Sequence, residues 1–269
     1  EAHAGLADYR PGSVHAARVA ARRLRSGLRV YGDLLRDDVA PQVRAELGWY
    51  AGVLSPARDL EVFAAALTES ADDDLLISDA LLPWLRRRRA VVGRQVVRDL
   101  GGDRVQALHR TLAELARTPR FTSTAAKKAR KILGPRVLKA DERAATDIEG
   151  LDDGAPSQVW HRARIWAKRA RYAAEVGSPV LGRPCEDLAH LWSAVAEPLG
   201  QAQDAVTQRG LVLDRIDDAS VPLSAGEAFA CGVYVATSHE HEESARRSAL
   251  RVWQESRHDH RRLRRSVVD

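Results

Sequence analysis

Methionine is absent from the 269 residues, cysteine occurs only twice, and aromatic residues make up 5% of the chain. Cys185 and Cys231 have no spacing that suits a metal clip or a disulfide framework, so a reduced, intracellular setting is expected. No apolar run approaches the roughly 20 residues needed to cross a bilayer, and no secretory leader is recognisable, so no membrane partner is expected. A chain that begins at Glu1 without methionine is expected to be a processed protein or a piece of a longer one. Alternating strand patterns are also missing, and the helix formers Ala, Leu, Arg and Glu dominate between prolines and glycines. With 45% hydrophobic residues there is material for a substantial core, and the expected class is all-α.

What the sequence has is arginine in a pattern. The net charge is only +5, but its distribution is uneven: Arg18 to Arg29 contains five arginines and no acid. Acids gather elsewhere, in Asp72-Asp73-Asp74, Asp152-Asp153 and Asp217-Asp218, which read as solvated loops. His15, Arg18, Arg22, Arg25 and Arg29 follow at alternating spacings of three and four. At about 100° per residue they share roughly one quadrant of a helix, leaving Ala17, Ala21, Leu24, Leu28, Tyr31 and Leu35 to pack. The stripe returns at a constant offset of 146 as His161, Arg164, Lys168 and Arg171, with Ala163, Ala167, Ala170 and Ala174 on the packing side. A second pair, Leu54-Ser55-Pro56-Ala57-Arg58-Asp59 and Leu199-Gly200-Gln201-Ala202-Gln203-Asp204, is offset by 145. A shared offset over so many positions indicates an internal duplication, with segments 1–118 and 119–269 as the expected domains, divided near Thr118-Pro119.

The helix expectations follow the punctuation. Ser13 caps a first helix running to about Asp37; a second follows Pro41, with a bend or break near Pro56; others span about 75–100 and 103–117. The second half opens with about 123–148, with Gly134-Pro135 as a candidate interruption. The His161 helix ends near Gly177 and Pro179, the next breaks near Pro198, and Pro222 separates the last two.

The histidine-headed basic pattern, present twice and each time followed by a Leu-(Gly/Ser)-x-x-x-Asp element, resembles the CHAD family, the conserved-histidine α-helical domains. That resemblance implies two four-helix bundles related by pseudo-twofold symmetry, with a basic cavity or channel between them that binds inorganic polyphosphate; a non-catalytic binding module is the expected function. Arginine suits such a ligand because its planar fork directs two charge-assisted hydrogen bonds at an oxyanion, whereas lysine adds a point charge. One basic stripe alone is more often a solvated face. Two matched stripes without local acidic partners repel themselves, which points to a shared polyanion.

The anion path is therefore expected to hold His15, Arg18, Arg22, Arg25, Arg29, Arg58, His161, Arg164, Lys168 and Arg171, with Arg23 and Arg169 about 80° off the stripe at the rim. Arg86 and Arg89 are the expected contributors from the Arg86 to Arg89 run, and Lys127 and Lys131, one turn apart, are further candidates. Asp59 and Asp204 read as buttresses. Histidine beside a polyanion should titrate above its usual value of about 6.5, giving tighter binding toward acidic pH. His239-Glu240-His241-Glu242-Glu243 lacks a defined trio of metal ligands and reads as an exposed helix turn, and His258-Asp259-His260 likewise; no metal or cofactor is expected. Phosphate or sulfate would occupy the same anion site.

Rival readings are a nucleic-acid binder, a phosphate-transferring enzyme, and an adaptor to polyphosphate bodies. Single-strand binding usually adds stacking aromatics between cations, which are few here. Metal-assisted phosphoryl transfer needs carboxylates among the cations, which the stripes lack. The expected setting is cytoplasmic, in association with polyphosphate granules; oligomeric state is open.

Overall fold

The computed structural model describes residues 12–36, 38–69, 75–152, 154–218 and 221–268. Eight α helices occur among the described residues: α1 Ser13–Tyr31, α2 Val39–Glu69, α3 Leu75–Leu100, α4 Asp103–Arg117, α5 Ala129–Glu149, α6 Ser157–Leu181, α7 Arg183–Asp217 and α8 Ala225–Val268. Two 3₁₀ turns, Gly32–Leu34 and Ser123–Ala126, flank a lone antiparallel bridge between Leu35 and Phe121. The fold is all-α, as the sequence pattern requires. The Asp72-Asp73-Asp74 cluster, Asp37 and Asp153 lie outside the described residues.

Two compact units form. The first takes the described residues up to Val19, Tyr50–Asp103 and Gln201–Ala245; the second takes Ala20–Trp49, Arg104–Gly200 and the chain from Arg246 onward. Each unit draws on sequence before and after residue 118. The physical reason is helix length: α1, α2, α7 and α8 each contribute residues to both units.

The first unit is built on Leu60, Phe63 and Leu67 of α2, Ile77, Leu81, Trp84 and Leu85 of α3, Val212 of α7, and Ala230 and Cys231 of α8. Phe63 packs on Tyr234 with ring centroids 5.0 Å apart, and the Tyr234 hydroxyl donates to Gln208 Oε1 at 2.7 Å. Its α8 starts with a capping box: the Ser224 N–H donates to Glu227 Oε2 at 2.9 Å, and the Glu227 N–H donates to Ser224 Oγ at 3.2 Å. Hydrogen bonds from Ser224 to the Glu227 carboxyl hold it below the usual range.

The second unit has an alanine-rich core. Ala163, Ala167, Ala170 and Ala174 of α6 are buried against α5, α7 and the end of α8. At its centre Trp192 stacks on Trp253 at 5.2 Å, and the fully buried Asp141 carboxylate accepts from Trp192 Nε1 at 2.7 Å, pairs with His260 Nε2 at 2.8 Å and with Arg264 Nε at 3.1 Å. One buried acid thus ties α5, α7 and α8 together.

Several expected helix ends are corrected by packing. The breaks near Pro56 and Pro198 and the candidate interruption at Gly134-Pro135 do not occur: α2, α7 and α5 are continuous there. An interior proline costs about 3 kcal/mol. Beside Pro56, however, Leu54, Ala57 and Leu60 are buried, and each large apolar side chain contributes about 2 kcal/mol. Tertiary burial outweighs the local defect. α6 runs through Pro179 and ends at Gly182, which has φ +76° and whose N–H donates to Ser178 O at 2.8 Å. α1 stops at Tyr31, short of Asp37, because the chain turns at once: a Cβ on Gly32 would lie 2.5 Å from that of Ala40. Asp38, in the left-handed region at φ 50°, completes the turn into α2. The turn lays the beginning of α2 back beside the end of α1.

A candidate anion-binding site

Arg22, Arg25 and Arg29 of the α1 stripe meet Arg164 and Lys168 of the α6 stripe in the second unit. Arg22, Arg25 and Arg29 from α1, Arg44 from α2, and Arg164, Lys168 and Arg169 from α6 line one cavity of about 210 Å³, with Ser26, Ile165 and Tyr172 completing its wall. Seven of its ten lining residues are cationic and none is acidic. The local cause is helical spacing. Ala163, Ala167 and Ala170, exposed by no more than 1%, turn α6 so that Arg164 and Lys168 face away from the core. On α1, Ala17 and Ala21 are buried, whereas Leu24, expected to pack, is 46% exposed; Tyr31 does pack, donating its hydroxyl to Ala173 O at 2.8 Å.

Crowding like charges has an electrostatic signature. Burial first, then Arg29, Arg25 and Arg44, push Arg169 down to about 10. Arg29 is also lowered, by burial first and then by Arg44 and Arg25. The Arg29 and Arg169 guanidiniums thus sit where burial and neighbouring cations disfavour their charge, and an anion placed among them would relieve it. Such a cluster suits a multiply charged anion.

A second cavity of about 590 Å³ adjoins the first, sharing Arg29 and Arg169 and adding Val30, Asp33, Pro135, Arg136, Lys139, Ala140, Arg143 and Trp166. The guanidinium carbons of Arg169, Arg143 and Arg29 lie 4.5, 5.5 and 6.0 Å from the centroid of Trp166. Asp33 is held by both Nε and a terminal nitrogen of Arg136, whose other terminal nitrogen donates to Ile132 O at 2.9 Å.

Other sequence candidates lie elsewhere. Arg23 and Arg171 both bind Glu175, at 3.0 and 2.7 Å, and line neither cavity. The expectation that the stripes lack acidic partners is therefore corrected: Glu175, one turn after Arg171, neutralises that stripe position and the off-stripe Arg23. His161 is exposed in the first turns of α6 and lines neither cavity, and Lys127 and Lys131 are exposed, with Lys127 ahead of α5 rather than on it.

In the first unit His15 is exposed, and Arg18 donates to Ser55 Oγ at 2.7 Å while lying 3.9 Å from Asp59. Asp59 is thus a buttress for Arg18. Arg58 pairs with Glu61 at 3.3 Å; Arg86 is exposed; Arg89 is half-buried with its Nε unpartnered; Asp204 is half-buried on α7. These residues belong to the first unit and do not line the cationic cavity. Sequence reading missed Arg44, which has no basic residue within a turn of it on α2 and belongs to no motif. It also missed Arg143, which reads as a surface pair with Asp147 four residues on.

No helix among the described residues is long and apolar enough to cross a membrane, and no group of three or more potential metal-ligating side chains occurs among them. The structure is similar to that of PptA from Streptomyces chartreusis, with a TM-score of 0.75 and 21% identity over 92% of this chain and 91% of that one. It is also similar to the crystal structure of the CHAD domain from the plant Ricinus communis, with a TM-score of 0.63 and 22% identity over 93% of this chain and 85% of that one. At these identities the likeness is one of fold. No curated protein sequence matches the chain. The CHAD domain family model matches residues 1–213, a span that contains both histidine-headed stripes and every residue lining the cationic cavity, and the chain belongs to the CHAD domain family.

Proposed function

We propose that the second unit binds inorganic polyphosphate without transforming it, through Arg22, Arg25, Arg29, Arg44, Arg164, Lys168 and Arg169. The observation that carries this reading is the gathering of seven cations and no acid around about 210 Å³. A single phosphate dianion would leave most of that charge unbalanced; a linear polyanion offers successive oxyanions to successive guanidinium forks. Family membership supports the same ligand. Catalysis is not part of the proposal, because metal-assisted phosphoryl transfer draws on carboxylates beside the phosphates and the cavity wall supplies none. Binding is sequence-free, and free phosphate or sulfate competes weakly for the same positions.

The test is a titration with long-chain polyphosphate at near-physiological salt, with single- and double-stranded nucleic acid as competitors. Wild type is expected to bind polyphosphate in a form that nucleic acid does not displace, and Arg44→Gln/Lys168→Gln to lose most of that affinity. Undiminished binding by the double variant, or preferential binding of nucleic acid, would overturn the assignment.

A further inference from the structure

We infer that the larger cavity of the second unit is a compartment for an organic group attached to the end of an oligophosphate, and that the ligand class fitted by the two cavities together is a nucleoside oligophosphate. This rests on the proposed phosphate-binding role of the smaller cavity.

The two cavities differ in chemistry. The smaller one is walled mainly by cations. The larger one, at about 590 Å³, has the size of a small-molecule site and mixes the cations Arg29, Arg136, Lys139, Arg143 and Arg169 with an indole, Val30, Pro135 and Ala140, and with the Asp33 carboxylate that Arg136 holds. An inorganic polyanion could use the cations of this wall but gains nothing from its carbon surfaces, and the Asp33 carboxylate, already paired with Arg136, offers it only an acceptor. A nucleoside gains from both. Its base can stack on the Trp166 indole or on the guanidinium planes of Arg143 and Arg169 that surround it, and its ribose hydroxyls and ring edge can bond to Asp33 and Lys139. Arg29 and Arg169 belong to both walls, so phosphates directed into the smaller cavity leave the nucleoside at the mouth of the larger.

The experiment is isothermal titration of the full chain, without divalent cations, using adenosine triphosphate and inorganic tripolyphosphate, two anions of similar charge near pH 7.5. Stacking of a base supports a preference for adenosine triphosphate of about tenfold. Trp166→Leu is expected to reduce that preference to about twofold or less while leaving tripolyphosphate affinity within about twofold. Lys139→Gln, an exposed position that does not line the smaller cavity, is expected to reduce the preference in the same direction and provides the test if Trp166→Leu fails to fold. Equal or weaker binding of adenosine triphosphate, or a preference unchanged in the folded variants, would overturn the compartment while leaving the phosphate site standing. Failure of tripolyphosphate and long-chain polyphosphate alike to bind would instead overturn the phosphate site on which it rests.

Discussion

Replacing Lys168 by glutamine tests how many charges of the cationic cavity meet the ligand. Each phosphate that a cation neutralises releases condensed counterions, and for a single-stranded polyanion the logarithm of the binding constant falls by about 0.7 per contact for each decade of salt. Seven cations line the cavity, so full engagement gives a slope of roughly −5. Between 50 and 200 mM salt the affinity for long-chain polyphosphate then falls about a thousandfold. Lys168→Gln should make the slope shallower by about 0.7. At fixed near-physiological salt it should lower affinity about fivefold, close to 1 kcal/mol. Arg183→Gln is the control: Arg183 is 88% exposed, pairs with Asp187 at 3.8 Å, and lines neither cavity, so its slope should match wild type. The assay is a fluorescence or calorimetric titration repeated across that salt range. A wild-type slope shallower than about −2, or identical slopes for Lys168→Gln and Arg183→Gln, would refute the idea that the cavity cations act together on one polyanion.

Asp141→Asn should destabilise the protein by about 3 kcal/mol, read as a lower urea midpoint, because Arg264 and His260 lose a buried carboxylate and Trp192 loses a charged acceptor. Gly177→Ala should cost on the order of 1 to 3 kcal/mol in the same assay, since the new Cβ would meet Val137 at 3.0 Å, Leu181 at 3.2 Å and the Tyr31 hydroxyl at 3.4 Å inside a packed core. Polyphosphate affinity should weaken as pH rises through about 10, where Arg169 begins to lose its proton. The stability effect of that group has the opposite sign: its folded value lies below that of an ordinary arginine, so its charge opposes folding below about pH 10, and that opposition is relieved as pH rises above about 10. Thermal unfolding and binding measured at pH 9, 10 and 11 check both directions. Saturating polyphosphate should raise the unfolding temperature at neutral pH, with about 2.7 kcal/mol added at a hundredfold excess over Kd; an unchanged melting temperature at saturation would count against binding to the folded state.

Much of this was legible in the chain. Helices at about 75–100 and 103–117 follow from composition and punctuation, and the structure places α3 and α4 at those bounds. Helix interruption at Pro56, Pro135 and Pro198 was misread because a proline's cost is local, whereas the burial of Leu54, Ala57 or Leu199 that offsets it comes from distant partners. The duplicated stripe lies on α1 and α6, the helices that supply six of the seven cations lining the cavity. It did not say which members would face the cavity. Arg25 lines it, but its repeat equivalent Arg171 is held by Glu175; Arg169 lines it, but its equivalent Arg23 shares that same glutamate.

Sequence alone determined the helical class, the two basic stripes and the small-residue packing faces, because helix periodicity converts spacing directly into a common face. Only tertiary structure decided which of those cations converge, because convergence depends on the contacts a face makes after packing. Arg44, with no motif of its own, is brought to the cavity by the tight return from α1 at Gly32 and Asp38. Trp166 and Arg143 likewise become neighbours of Arg29 only when α5 and α6 pack within the second unit.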